Sequence, residues 1–175
     1  MNKWQRMNDR ELKAVRWFAA LSKFRFVKPI VFTTNLLANG WIYFPLAIVL
    51  YAVYGRKASP IVGSAIAAAC IAQAIYFLLK RVLRRTRPFE HDPSLVQIGQ
   101  VLDKYSFPSG HCMTLVCVSV PIVDYNPNLW PIALVYCALL GLSRLVSAHH
   151  YPSDVLMGAV LGLLIAWPIC SLAIW

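Results

Sequence analysis

Three residues of this 175-residue chain, His111, His150 and Asp154, sit where polar islands give way to apolar runs. His150 and Asp154 are four residues apart. On a helix, or on a turn entering a helix at Pro152, the carboxylate can accept a hydrogen bond from the imidazole. Such a pair fixes the ring tautomer and leaves the opposite nitrogen free to attack an electrophile. An aspartate at the mouth of an apolar span is costly without a partner, so the pairing fits a structural role at a helix start as well as a chemical one. Upstream, Lys80, Arg84 and Arg87 fall at i, i+4 and i+7 and share one face of a continuing helix, with Arg81 and Arg85 pointing elsewhere. Pro88 disfavours helical geometry at Arg87, so the helix is expected to end there. This face suits a phosphate, with Arg binding two oxygens at once and Lys acting as a point charge. Taken alone, it fits better the positive cap that marks the cytoplasmic end of a span. Between these clusters, Ser106-Phe107-Pro108-Ser109-Gly110-His111 precedes an apolar helix. Ser109 can cap that helix, Gly110 lets a ligand approach the backbone, and the free N–H groups attract anions. A lone histidine such as His111 is more often a hydrogen-bonded packing residue.

The elements that must carry these residues read as membrane helices. The chain is 59% hydrophobic, in runs too long for a soluble domain of this size. Its net charge of +10 comes from 17 Lys and Arg against 7 Asp and Glu. Basic loops facing anionic lipid heads account for that excess without a nucleic-acid partner. The five cysteines form no CxxC pair and no zinc-like cluster, and they read as small packing residues. No metal cage and no cofactor site is apparent. Residues 1–28 read as an amphipathic interfacial segment, with eight Lys and Arg interleaved with Trp4, Trp17, Phe18 and Phe24. No cleavable signal peptide is read there, so the first span is expected to act as the insertion signal.

Residues 29–175 read as one transmembrane domain. Its expected spans are Ile30–Tyr54 (interrupted by Asn35, Asn39 and Gly40), Pro60–Leu79, Ser109–Val123, Leu129–Val146 and Val155–Trp175. The fold class is therefore all-α, an integral membrane bundle of five transmembrane helices, or six if the N-terminal region also crosses. Counting crossings puts the islands Lys80–Pro88, Tyr105–His111 and Ser143–Asp154 on one face. Ionisable groups gathered at helix ends in this way mark a functional site.

Together the islands resemble the signature of the type 2 phosphatidic acid phosphatase (PAP2) superfamily, K-x6-R-P, P-S-G-H and S-R-x5-H-x3-D. Here these are Lys80 with Arg87-Pro88, then Pro108-Ser109-Gly110-His111, then Ser143-Arg144 with His150 and Asp154. The resemblance implies that His150 is the nucleophile and forms a phosphohistidine, that Asp154 orients it, and that His111 is the general acid. It implies that Lys80, Arg87, Ser109, the Gly110 N–H and Arg144 hold the phosphoryl oxygens. It also implies a metal-independent phosphatase acting on a lipid phosphate. The substrate classes are phosphatidylglycerophosphate, phosphatidic acid and polyprenyl diphosphate such as undecaprenyl diphosphate. The location implied is a bacterial-type inner membrane. Two other readings stay open: a lipid phosphotransferase using the same site, and a non-catalytic anion- or lipid-binding membrane protein. The positive-inside rule places the active-site face in the cytoplasm, whereas the resemblance implies the outer face.

Overall fold

The computed structural model describes residues 3–173. Asn2 of the expected amphipathic segment and Trp175 of the expected fifth span lie outside the described residues. The helices are α1 (Lys3–Ala20), α2 (Val27–Leu36), α3 (Tyr43–Tyr54), α4 (Ala58–Leu83), α5 (Pro88–His91), α6 (Gly110–Tyr125), α7 (Trp130–Val146) and α8 (Pro152–Leu172). A π-helical turn, Leu37–Trp41, joins α2 to α3 at the interruption expected from Asn39 and Gly40. Among the described residues three segments are long and apolar enough to cross a membrane, Tyr43–His91, Pro127–Val146 and Pro152–Leu172, and Gly110–Tyr125 is a shorter apolar helix.

The bundle is built on α4, α6 and α8. Ala68, Ala72 and Tyr76 of α4 meet Met113 and Cys117 of α6 and Ala166 of α8 in one buried cluster. Small side chains let these backbones approach closely, which is how helices associate when lipid supplies no hydrophobic drive. Two α8 glycines, four residues apart, make the closest approach. A Cβ on Gly158 would collide with the Ser109 carbonyl, and one on Gly162 would come within 2.6 Å of the Met113 carbonyl. This contact holds the start of α6 against the start of α8, where the Ser109 N–H bonds the Asp154 carbonyl at 3.0 Å. The outward surface is apolar: Phe44, Leu78, Leu164 and Trp167 are all exposed. Water does not tolerate such a belt, and acyl chains do.

One end of the bundle reverses this pattern, with Lys80, Arg85, Arg87, Arg144, His149, His150 and Asp154 all buried there. At about 1.5 Å per residue the 26-residue α4 is about 39 Å long, enough to carry Lys80 to that end of a span. Helix α1 also lies at this end. Its Asn8, Glu11 and Arg16 bond Thr86, Ser153 and Asp92 respectively. Its Val15 is fully buried against Ala148 and Tyr151. The expected amphipathic helix thus forms, but one face rests on the protein. A division after residue 28 would fall inside α2.

Gly158→Ala is expected to destabilise the protein by about 1–3 kcal/mol through overpacking. Gly63→Ala in α4, where a Cβ meets nothing within 4 Å, is expected to be neutral or mildly stabilising. Thermal unfolding of both variants in detergent checks the contrast.

Candidate active site

The segment between α7 and α8 sets the histidines. Ala148 adopts a left-handed conformation (φ 54°), and the His149 N–H returns to the Arg144 carbonyl at 3.1 Å. The chain then enters α8 at Pro152, the second of the two geometries the sequence left open. Asp154 sits in its first turn and accepts the Tyr151 N–H on Oδ2 at 2.8 Å. The same oxygen lies 3.6 Å from His150 Nδ1, with both side chains buried. The other oxygen accepts a bond from Arg85 Nη1 at 2.6 Å. Burial, with Arg87, Lys80 and Arg144 nearby, holds His150 well below the usual imidazole range. A neutral ring keeps a lone pair available for attack.

Arg144 enters from the last turn of α7. Its Nη1 faces His149 Nδ1 at 3.3 Å. Its Nε and Nη2 are buried and make no hydrogen bond among the described residues, and the same holds for Ser109 Oγ. A buried guanidinium N–H without an acceptor costs more than a satisfied one by the desolvation of a charged donor. These donors are therefore suited to an anion. Ser109 stands at the N-cap of α6 but makes no side-chain capping bond. Gly110 opens α6 under the Tyr76 ring, which a Cβ at that position would strike at 2.5 Å.

Lys80 and Arg87 meet, though not by the route their spacing predicts. Helix α4 ends at Leu83, where Arg84 turns left-handed (φ 47°), so Arg87 is not on the face of Lys80. Arg84 bends back to the Arg81 carbonyl and stays exposed. What joins Lys80 and Arg87 is Asp103, a residue that no sequence spacing singled out. Its Oδ1 accepts Lys80 Nζ at 2.5 Å and Arg87 Nη2 at 2.9 Å, and Tyr76 donates its hydroxyl to Oδ2. Burial works to raise the Asp103 carboxyl, but Arg87, Lys80 and Tyr76 outweigh it and hold it at about 2. Arg87 also donates through Nη1 to the His149 carbonyl at 2.8 Å, which links this pair to the histidine segment.

His111 lies in the first turn of α6, within electrostatic reach of Arg144 and His150. Its Nε2 is 2.7 Å from Asn39 Oδ1 of the π-helical turn. Asn39, read in the sequence only as an interruption of a span, thus meets a candidate site residue. Asn35 does comparable work one turn earlier, bonding Ser147 at 2.7 Å and Ser143 at 2.9 Å. A cavity of about 270 Å³ beside His111 is walled by Asn39, Tyr43, Tyr76 and Leu102. An apolar cleft of about 490 Å³ runs between α3, α6 and α7, and Tyr43 lines it as well. Among the described residues no group of three His, Cys, Asp or Glu side chains is placed to hold a metal ion.

A model of the PAP2 superfamily matches residues 61–174. Decaprenylphosphoryl-5-phosphoribose phosphatase of Mycobacterium tuberculosis is 35% identical over 96 residues, 55% of this chain and 52% of the relative. Undecaprenyl-diphosphatase BcrC of Bacillus subtilis is 32% identical over 94 residues, 53% of this chain and 48% of the relative. The chain thus spans about half the length of these curated relatives. The crystal structure of Aquifex aeolicus LpxE superposes with a TM-score of 0.79 at 22% identity, covering 92% of this chain and 94% of the other. At that identity the superposition speaks for the fold.

Burial, together with Arg144 and Arg87, holds His149 at about 3, below its ordinary 6.5. His150 is displaced the same way. Both rings stay neutral in the folded chain, whereas unfolded imidazoles bind a proton near pH 6.5. Their contribution to stability is complete above that pH and is lost as pH falls through the folded values. The thermal midpoint in detergent is expected to be flat near pH 8 and to fall steadily from about pH 6.5 downward. A flat profile to about pH 5 is incompatible with two neutral buried rings.

Proposed function

The chain belongs to the PAP2 superfamily, and on that premise we propose that it is a membrane lipid phosphatase working through a phosphohistidine on His150. The observation that carries this reading is the juxtaposition of a neutral buried His150, backed by Asp154, with buried Arg144 donors that have no acceptor among the described residues. In the first step His150 Nε2 attacks phosphorus while Asp154 Oδ2, 3.6 Å from Nδ1 in this structure, closes to accept the Nδ1–H. The P–N bond forms as the bond to the bridging oxygen breaks, and His111 delivers a proton to the departing oxygen, an alkoxide from a monophosphate or a lipid phosphate from a diphosphate. Arg144, Ser109 Oγ and the Gly110 N–H hold the equatorial oxygens as charge spreads over them. In the second step water attacks phosphorus, His111 takes its proton, and inorganic phosphate leaves with His150 restored.

Lys80 and Arg87 join this set by exchange. A phosphate competes with the Asp103 carboxylate for their N–H groups, since one anion cannot sit beside another without cost. The apolar cleft shares Tyr43 with the cavity beside His111. Their adjacency at Tyr43 supports a substrate whose phosphate reaches the histidines while its tail stays in lipid. Relatives named for decaprenyl- and undecaprenyl-linked substrates support a polyprenyl phosphate or diphosphate as the first class to try, with phosphatidylglycerophosphate and phosphatidic acid next.

Purified protein in detergent with EDTA present is expected to release phosphate from at least one lipid of that panel. His150→Ala should lower turnover by about 10⁴-fold or more while lipid binding persists. Arg144→Lys, which keeps the charge but loses the paired N–H geometry, should lower kcat by about 10²-fold. Full activity in His150→Ala would sink the mechanism.

A further inference from the structure

Arg85 falls outside the family signature, and its spacing points it away from Lys80, yet among the described residues it is the largest fully buried side chain. Its guanidinium reaches α1 and the start of α8 at once. Nε donates to Asn8 Oδ1 at 2.9 Å and Nη2 to Glu11 Oε1 at 3.1 Å, both on α1. Nη1 donates to Ser153 Oγ and to Asp154 Oδ1, each at 2.6 Å, at the start of α8. The plane stacks on Tyr151, with Cζ 4.0 Å from the ring centroid. Glu11 completes the frame by accepting the Ser153 N–H at 3.0 Å on Oε2.

We propose that Arg85, held by Asn8 and Glu11 of α1, is the positioning residue for the Asp154–His150 pair. Asp154 has two oxygens and one catalytic partner. Its Oδ1 is taken by Arg85, and Oδ2 is pinned by the Tyr151 N–H toward His150 Nδ1. Arg85 gives a carboxylate with no exposed surface its charged partner, and by holding Oδ1 it opposes the side-chain rotation that would turn Oδ2 away. Donation fanned in one plane from Nε, Nη1 and Nη2 to Asn8, Ser153, Asp154 and Glu11 is something a lysine cannot reproduce. Helix α1, which precedes the family-matched segment, then belongs to the working site through Glu11 and Asn8. This inference rests on His150 being the nucleophile.

The test follows phosphoprotein formation by rapid quench with a ³²P-labelled lipid phosphate, alongside steady-state rates. Wild type is expected to form an acid-labile phosphoprotein that His150→Ala does not form. Arg85→Met is expected to form it about 10- to 100-fold more slowly, with KM little changed, and Arg85→Lys to recover part of the loss. Glu11→Gln should show a smaller fall of the same kind, and no further fall in an Arg85→Met background. No phosphoprotein in wild type overturns the phosphohistidine reading itself. A wild-type phosphoprotein with an unchanged rate in folded Arg85→Met overturns only the positioning role. Where Arg85→Met does not fold, Glu11→Gln decides: a slowed rate at constant KM supports the role, and a wild-type rate overturns it.

Discussion

Asp154 begins an apolar helix with no exposed surface, so every charge and lone pair it carries has to be answered inside the protein. Arg85 answers one oxygen, the Tyr151 N–H answers the other, and the Asp154 carbonyl takes the Ser109 N–H. Through those bonds a single residue ties the start of α8 to the linker after α4, to the segment ending α7 and to the start of α6. The three polar islands of the sequence meet because this one buried carboxylate needs them to.

The charge balance of the site follows from the same constraint. Cations outnumber acids at this end of the bundle, and two acids are shared: Asp154 serves Arg85 and faces His150, while Asp103 serves Lys80 and Arg87. Arg144 alone among the buried motif cations leans on a neutral ring rather than a carboxylate. That asymmetry leaves its outer N–H groups for an incoming phosphoryl group, whose oxygens can meet them without displacing another anion. Arg87 and His149 carry the link between the two halves of the site through a backbone carbonyl, which is insensitive to protonation.

The apolar remainder of the bundle serves this end by staying rigid. Gly158 and Gly162 bring α8 onto α6 so closely that the Ser109 backbone abuts α8 itself. The π-helical turn between α2 and α3 bends the chain so that Asn39 reaches His111, while Asn35 secures the end of α7. Polar residues that read as flaws in a spanning helix are thus hydrogen-bonded to the site, since an unsatisfied amide in hydrocarbon would cost several kcal/mol, about 2–7 by transfer measurements.

The helical class, the apolar helices from α4 onward and the three islands were legible in the residues alone, because apolar run length and helix-end chemistry are local properties of consecutive residues. The approach of Asp154 to His150 was legible for the same reason, being a four-residue relation across a helix start. Only the tertiary structure decided that α4 stops at Leu83, so that Lys80 and Arg87 meet around Asp103 instead of along a helical face. Only it revealed that Arg85 is buried against Asn8, Glu11 and Asp154, partners 69 to 77 positions away in the chain. No periodicity encodes a contact over that distance. It arises when packed helices leave a buried charge with one place to go.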